Sequence, residues 1–311
     1  MTAYLVRRTL QTIAVLLIIS MVTFTISYLI PADPAAEIAG PKAKPDTIER
    51  IRERLGLDQP LYIQYGRYLW RLLHGDLGES YRLRMPVIEL FRRRLWATFQ
   101  LAVLGVLFEL FMGVPVGIIS AVKSRSWLDR ATMIGALVGV SAPRFWLGVV
   151  LLYLLGFKLS LLPLGGYGSL KHVILPAFTL GVAGAAWYAR MLRSSMLDIL
   201  GSDYMRTAHA KGLHPWIVLL RHALPNAIQP VITMVGMDLG YYLGGVVVIE
   251  SVFSWPGMGK EIWQAIQNLD IPVITGSVTL AALAVVLMNF VVDLVNAAID
   301  PRVRLGEGPP A

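Results

Sequence analysis

DYMRTAHAKGLHPWIVLLRHALP, residues 203–225, is the longest polar interruption in the C-terminal half of the chain, and strongly apolar runs flank it on both sides. Asp203 suits the cap of a short helix, and Gly212 suits a left-handed end to it. Ala208, Ala210 and Gly212 are small and admit a close neighbour. Pro215 fits the first turn of a second helix. There Trp216, Leu219, Leu220 and Ala223 recur at α-helical spacing and predict one apolar stripe, with Arg221 and His222 off it. Two short helices joined by a turn and held between membrane spans have a greasy side for lipid or neighbouring helices and an end free for a soluble partner. A plain solvated loop with two interfacial helices has the same pattern, so the spacing alone leaves both readings open.

Composition sets the class. Of 311 residues, 56% are hydrophobic and 15% charged, where soluble domains carry roughly a quarter charged. The mean hydropathy is +0.61. Long apolar runs of this kind predict an all-α integral membrane protein. The net charge of +8 then reads as basic flanks of membrane spans, not as a nucleic-acid surface. The chain has no cysteine, which excludes disulfides, thiol catalysis and thiolate-held metal.

Six spans are predicted. The first, within residues 1–30, is a retained anchor helix. A helical extracytoplasmic segment, 31–95, follows it. In that segment Asp46-Thr47-Ile48-Glu49 resembles a capping box, and Ile48, Ile51 and Leu55 recur at helical spacing before Gly56. A second helix runs from about Pro60, with Asp58 as cap, to Leu73. Met85-Pro86 opens a lead-in to the core, residues 96–300. The core spans are about Ala97–Val122, Ala131–Phe157 with a kink at Pro143, Val173–Ala189, Ala227–Ile249 and Pro272–Val292. The cytoplasmic loop takes 195–225, a short helix lies near Lys260–Asn268, and the tail is 301–311. Arg7, Arg8, Lys123, Arg125, Arg130, Arg190, Arg193, Arg206, Lys211, Arg221, Arg302 and Arg304 fall on one side. Among short segments only Lys158, Lys171 and Lys260 fall on the other, which predicts both termini inside. The basic 31–95 segment is set aside because long segments translocate largely regardless of charge.

Glu109, Arg144 and Asp238 fall near the middle of predicted spans. A charge there costs about 3 kcal/mol and faces a bundle interior or a wet cavity. These residues either line the translocation path, with Arg144 paired to Glu109 or Asp238, or fix helix packing. No catalytic constellation is present. Gly259-Lys260 fails as a phosphate loop because Ser254 and Glu261 stand where Gly and Ser or Thr are required. His209, His214 and His222 share no metal-ligand spacing.

One resemblance narrows the reading. Arg206-Thr207-Ala208, three residues, Gly212, nine residues, then His222-Ala223-Leu224-Pro225 resembles the EAA loop of ABC importer permeases. Ala208, Gly212, Leu224 and Pro225 match the family pattern. Arg206, Thr207 and His222 depart from it as the peptide/nickel branch often does. Leu57-Asp58-Gln59-Pro60-Leu61, Gly75-Asp76-Leu77-Gly78, Ser141 to Leu147, Gly244-Gly245, Phe253 to Gly257 and Asp293 to Arg302 are similar to other parts of the same branch, the dipeptide/oligopeptide permease B-type. The resemblance implies a type I ABC importer permease fold in a prokaryotic inner membrane. It also implies a second homologous permease, two cytoplasmic subunits that bind ATP and Mg, and an extracytoplasmic substrate-binding protein. Asp203, Arg206, Thr207, Ala208, Lys211, Gly212, Leu224 and Pro225 would form the ATPase-coupling loop. The cargo would be di- or oligopeptides moved by alternating access, with nickel or a metal chelate as the alternative. A secondary transporter or channel would instead call for interrupted helices in a repeated fold, and the sequence has no clear internal repeat. A membrane scaffold would not need the mid-span charges.

Overall fold

A computed structural model describes residues 2–29, 33–40 and 42–299. The predicted tail, with Asp300, Arg302 and Arg304, lies outside the described residues. All regular structure among the described residues is helical. In chain order the helices are α1 Thr2–Leu29, α2 Pro34–Ala39, α3 Pro45–Leu55, α4 Leu61–Leu73, α5 Val87–Val122, α6 Trp127–Ser141 and α7 Arg144–Leu151, the last continued by a π-helix over Leu152–Lys158. Then come α8 Leu170–Leu200, α9 Asp203–Ala210, α10 Pro215–Ile217, a second π-helix over Val218–Ala223, α11 Leu224–Ala227, α12 Gln229–Leu243, α13 Val247–Val252, α14 Met258–Gln267 and α15 Ile271–Ile299. Among the described residues α1, α5, α8 and α15 are each long and apolar enough to cross a membrane. The bent pair α6–α7 brings the number to five if it is one span.

Several boundaries differ from the sequence reading. The expected kink at Pro143 is a 97° break between α6 and α7. Proline removes a donor and disfavours helix in the residue before it, here Ala142, which is extended at ψ 125. The expected fourth span does not stop at Ala189: α8 continues to Leu200, through Arg190 and Arg193. The expected fifth span breaks after Leu243. Gly245 has φ +102 there, and a side chain on it would meet the backbone of Gly259 at 2.7 Å.

The chain divides into two compact units. The first comprises residues 1–98, 243–247 and 257–286. Here α3 begins at Lys44-Pro45 rather than at a capping box, since Lys44 makes no side-chain cap bond; Gly56 ends it with φ 68, as the sequence suggested. Pro60, not Asp58, occupies the cap of α4. Val87, Leu90, Phe91, Met258, Ala265 and Val273 form the unit's buried cluster. Asp270 accepts from Ser80 Oγ at 2.5 Å and from the Tyr81 backbone N–H at 3.2 Å.

The second unit comprises residues 99–242, 248–256 and the chain from 287. Its centre is α8, most of whose apolar stretch is buried. That helix packs closely on α5 through small residues. A side chain on Gly113 would meet the Ala185 carbonyl at 2.6 Å, and one on Gly117 would meet the Ala189 carbonyl at 2.9 Å. Glycines four apart let two membrane helices approach backbone to backbone. Beyond this seam Asp129, 4% exposed, ties three elements together. It accepts from Arg193 Nε at 2.7 Å and Nη2 at 2.8 Å, from the Arg125 backbone N–H at 2.9 Å, and from Ser120 Oγ.

Candidate functional site

The 203–225 stretch folds as two short helical pieces, but its details shift. Ser202, not Asp203, holds the cap position of α9, and Asp203 is its first residue. Asp203 and Arg206 form an exposed ion pair, which contributes little to stability. Gly212 turns left-handed at φ 73, as expected, and its N–H bonds to the His209 carbonyl at 2.9 Å. A side chain on Gly212 would meet nothing within 4 Å, so the turn, not a close neighbour, calls for glycine. Lys211 caps the helix, and Thr207 Oγ1 bonds back to the Asp203 carbonyl at 3.1 Å.

Helix α9 has two faces. Met205 and Ala208 are buried, 0% and 8% exposed. They belong to one apolar cluster with Leu192 and Met196 of α8, Val218, Leu219, Ala223 and Ala227. Tyr204, Arg206, Thr207, Ala210 and Lys211 are exposed. The close neighbour expected at Ala208 is therefore the chain's own interior. The predicted stripe of Trp216, Leu219, Leu220 and Ala223 is also corrected. Trp216 and Leu220 are exposed, and the buried set is Val218, Leu219, Ala223 and Ala227. The π-helix over Val218–Ala223 adds about one residue per turn, so the 3.6-residue spacing that defined the stripe does not hold there. Leu224 and Pro225 continue directly into α11. His209 Nδ1 lies 2.8 Å from the Met205 carbonyl, and His214 accepts from the Trp216 N–H, so both serve local backbone.

The mid-span charges do come together, through partners the sequence reading missed. Glu109 of α5 is fully buried and accepts from Tyr242 Oη at 2.6 Å. Its second oxygen has no hydrogen-bond partner. A side chain on Gly184 would run into the Glu109 carboxylate, so glycine makes room for it. Tyr188 donates to Asp238 at 2.7 Å. Arg144 pairs with neither acid: among the described residues its guanidinium lies over the Tyr242 ring, 5.9 Å from the centroid. The break at Pro143 places Arg144 in the first turn of α7, and it contacts the ring rather than a carboxylate. Tyr242 follows Asp238 by four residues and so shares its face of α12, and Tyr188 follows Gly184 by four on α8. That spacing was the available signal. The cluster can accept and donate hydrogen bonds between helices.

Residues 113–305 match "Binding-protein-dependent transport system inner membrane component". The chain belongs to this permease family. Residues 1–102 match its N-terminal companion, "Binding-prot-dependent transport system membrane comp, N-term". The probable D,D-dipeptide transport system permease protein DdpB of Escherichia coli K12 is 43% identical over 93% of this chain and 94% of its own length. The glutathione transport system permease protein GsiC of Salmonella paratyphi A is 43% identical over 98% and 99%. The dipeptide transport system permease protein DppB of Alkalihalophilus pseudofirmus is 42% identical over 98% and 100%. In fold, the permease is similar to a chain of the MetNI methionine ABC transporter in an inward-facing conformation. The TM-score is 0.59 at 20% identity, covering 68% of this chain and 96% of that one. The permease is thus a multi-pass inner-membrane protein of the type I ABC importer kind and a transport subunit rather than an enzyme. It is one component of a complex with ATPase and binding-protein partners.

Proposed function

We propose that this permease carries di- and oligopeptides into the cell. It does so beside a second homologous permease, two ATP-binding subunits that hold ATP and Mg, and an extracytoplasmic binding protein. The peptide reading rests on relatives of nearly equal length whose names all specify peptide cargo. Six crossings with both termini cytoplasmic complete it, the sixth being α12. A reporter fused after Gly40 that proved cytoplasmic would reverse this orientation.

The observation that carries the mechanism is the two-faced seating of α9. Its inner face is packed into the chain's own core, while its outer face offers Arg206, Thr207 and Lys211 to whatever lies beyond. A helix so anchored transmits a push as a rigid body. Closure of the ATP-binding subunits would shift the coupling loop and bias the spans between inward-open and outward-open states. Because the chain has no cysteine, Thr207→Cys is a unique thiol. A thiol crosslinker is expected to join it to an ATP-binding subunit, with a yield that changes on adding nucleotide. Accessibility only from the outer side of the membrane would end this reading. Cargo is tested by uptake of labelled dipeptide into vesicles holding the complete transporter; uptake of nickel alone would refute the peptide assignment.

Arg144 and Asp238, half-buried, are proposed to border the translocation path together with Glu109, which also fastens α5 to α12. Glu109→Gln is expected to slow peptide uptake about tenfold, since an amide keeps the shape but changes the bond to Tyr242. Unchanged uptake with intact assembly would leave Glu109 a packing residue only.

A further inference from the structure

Within the first unit α4 leans on α1. Tyr65 and Ser20 hydroxyls lie 2.9 Å apart, and the Phe24 ring meets Tyr65 and Tyr68 at centroid distances of 5.4 and 5.7 Å. Yet α4 leaves Leu61, Tyr62, Trp70 and Leu73 widely exposed. Exposed aromatic and aliphatic side chains on an amphipathic helix packed against a span mark a helix lying at the lipid–water boundary. Beside it is a cavity of about 1360 Å³, walled by Phe24 and Ser27 near the C-terminal end of α1. Five arginines and three carboxylates line it. Arg52 is occupied by Asp33 at 2.6 Å and Glu49 at 2.9 Å. Asp76 accepts from the Gly78 N–H at 2.8 Å. Arg54, Arg67, Arg71 and Arg84 have no carboxylate partner among the described residues.

We propose that this cavity seats an anionic phospholipid. The phosphate lies among Arg54, Arg67, Arg71 and Arg84, and the acyl chains run from Phe24 down the exposed stripe of α1 formed by Met21, Leu17 and Leu10. Three observations converge on that occupant. Five arginines against three carboxylates leave the walls of one space two charges positive. The stems of Arg67 and Arg71 rise from α4, the interfacial helix, where long basic side chains reach for headgroups. The space exceeds the roughly 300–1,000 Å³ of a small-molecule pocket and takes Phe24 and Ser27 of an apolar span into its wall, which a free anion would not require. The lipid fills the gap between α1 and the 33–86 helices and fixes their relative angle. This inference does not depend on which solute the permease moves.

The test uses the purified full-length chain in nanodiscs of equimolar phosphatidylglycerol and phosphatidylcholine, with retained lipid read by native mass spectrometry. Wild type is expected to keep phosphatidylglycerol over phosphatidylcholine. One arginine at an anionic headgroup is good for about a fivefold preference, so Arg54→Gln/Arg67→Gln/Arg71→Gln should lose at least about tenfold of the enrichment. The same positions changed to Lys should keep most of it, because a phosphate accepts a point charge. Excess glycerophosphoglycerol, a headgroup without chains, should not displace the lipid. Equal retention of both lipids by wild type, or undiminished enrichment in the Gln variant, overturns the proposal. So does displacement by the bare headgroup. If wild type shows no lipid preference and the Gln variant instead loses binding to an acidic soluble subunit, the cavity is a protein-docking face and the lipid assignment fails. Should the Gln variant not fold, Arg71→Gln alone carries the test, with about a fivefold loss expected.

Discussion

Asp129→Ala is expected to destabilise the chain by about 3 kcal/mol and to lower its melting temperature in detergent by roughly 5–10 °C. Four donors converge on this carboxylate: both arms of Arg193, the Arg125 backbone N–H and Ser120 Oγ. Alanine leaves all of them without an acceptor. The Arg193 side chain is only 27% exposed, so its charge would face a partly desolvated space unpaired. Removing one member of a buried pair is costly for that reason, even where the pair as a whole contributes little over an apolar substitute. The partial exposure of Arg193 keeps the figure at the low end. Arg193→Lys should lose part of the effect, since lysine cannot make the two-armed contact. Asp129→Asn should be intermediate, keeping an acceptor but not the charge. The site matters beyond stability because Arg193 stands between Leu192 and Met196, which pack under α9. A melting temperature unmoved by Asp129→Ala would mean the contacts are already loose in the native ensemble.

The class of the molecule was legible in its apolar runs, and the loop was legible in Ala208, Gly212 and Pro225. What could not be read has specific causes. The stripe at Trp216, Leu219, Leu220 and Ala223 assumed a 3.6-residue turn, and nothing in VLLRHA announces a π-helix to a periodicity count. Pro143 announced a bend, but not whether the chain would curve or turn through 97°. Pro115 and Pro176 both lie inside unbroken helices, so proline alone does not decide. Opposite charges in a membrane attract, which matches Arg144 to an acid on sequence alone; the aromatic ring of Tyr242 competes for it. Each mid-span acid finds a tyrosine on another helix, Glu109 on Tyr242 of α12 and Asp238 on Tyr188 of α8, a pattern that charge-based reading passes over. The arginines after Ala189 suggest that α8 ends there. Arg193 instead finds Asp129, and the helix continues to Leu200.

Ala208→Glu is expected to cut peptide uptake by about a hundredfold while leaving the outer face of α9 chemically intact. Ala208 is 8% exposed within a cluster that offers apolar side chains from α8, the π-helix and α11. A glutamate there either buries an unpaired carboxylate, at several kcal/mol, or swings out and takes α9 with it. The helix has eight residues and two buried anchors, Met205 and Ala208, so swinging out is the cheaper course. Unseating worth about 3 kcal/mol corresponds to roughly a hundredfold loss of the seated form. Gly212→Ala is the instructive contrast. Its side chain meets open space, but φ 73 strains any residue with a Cβ by about 1–2 kcal/mol, so uptake should fall only several-fold. Thr207 and Ala210 point the other way, and Ala210→Glu should act only in the assembled transporter. Limited proteolysis of the chain alone separates these outcomes. Ala208→Glu should expose residues 203–212 to cleavage without any partner present, and Ala210→Glu should not. If Ala208→Glu abolishes uptake yet leaves the lone chain as resistant as wild type, α9 is not held by its inner face. The push would then have to enter the bundle by some other contact.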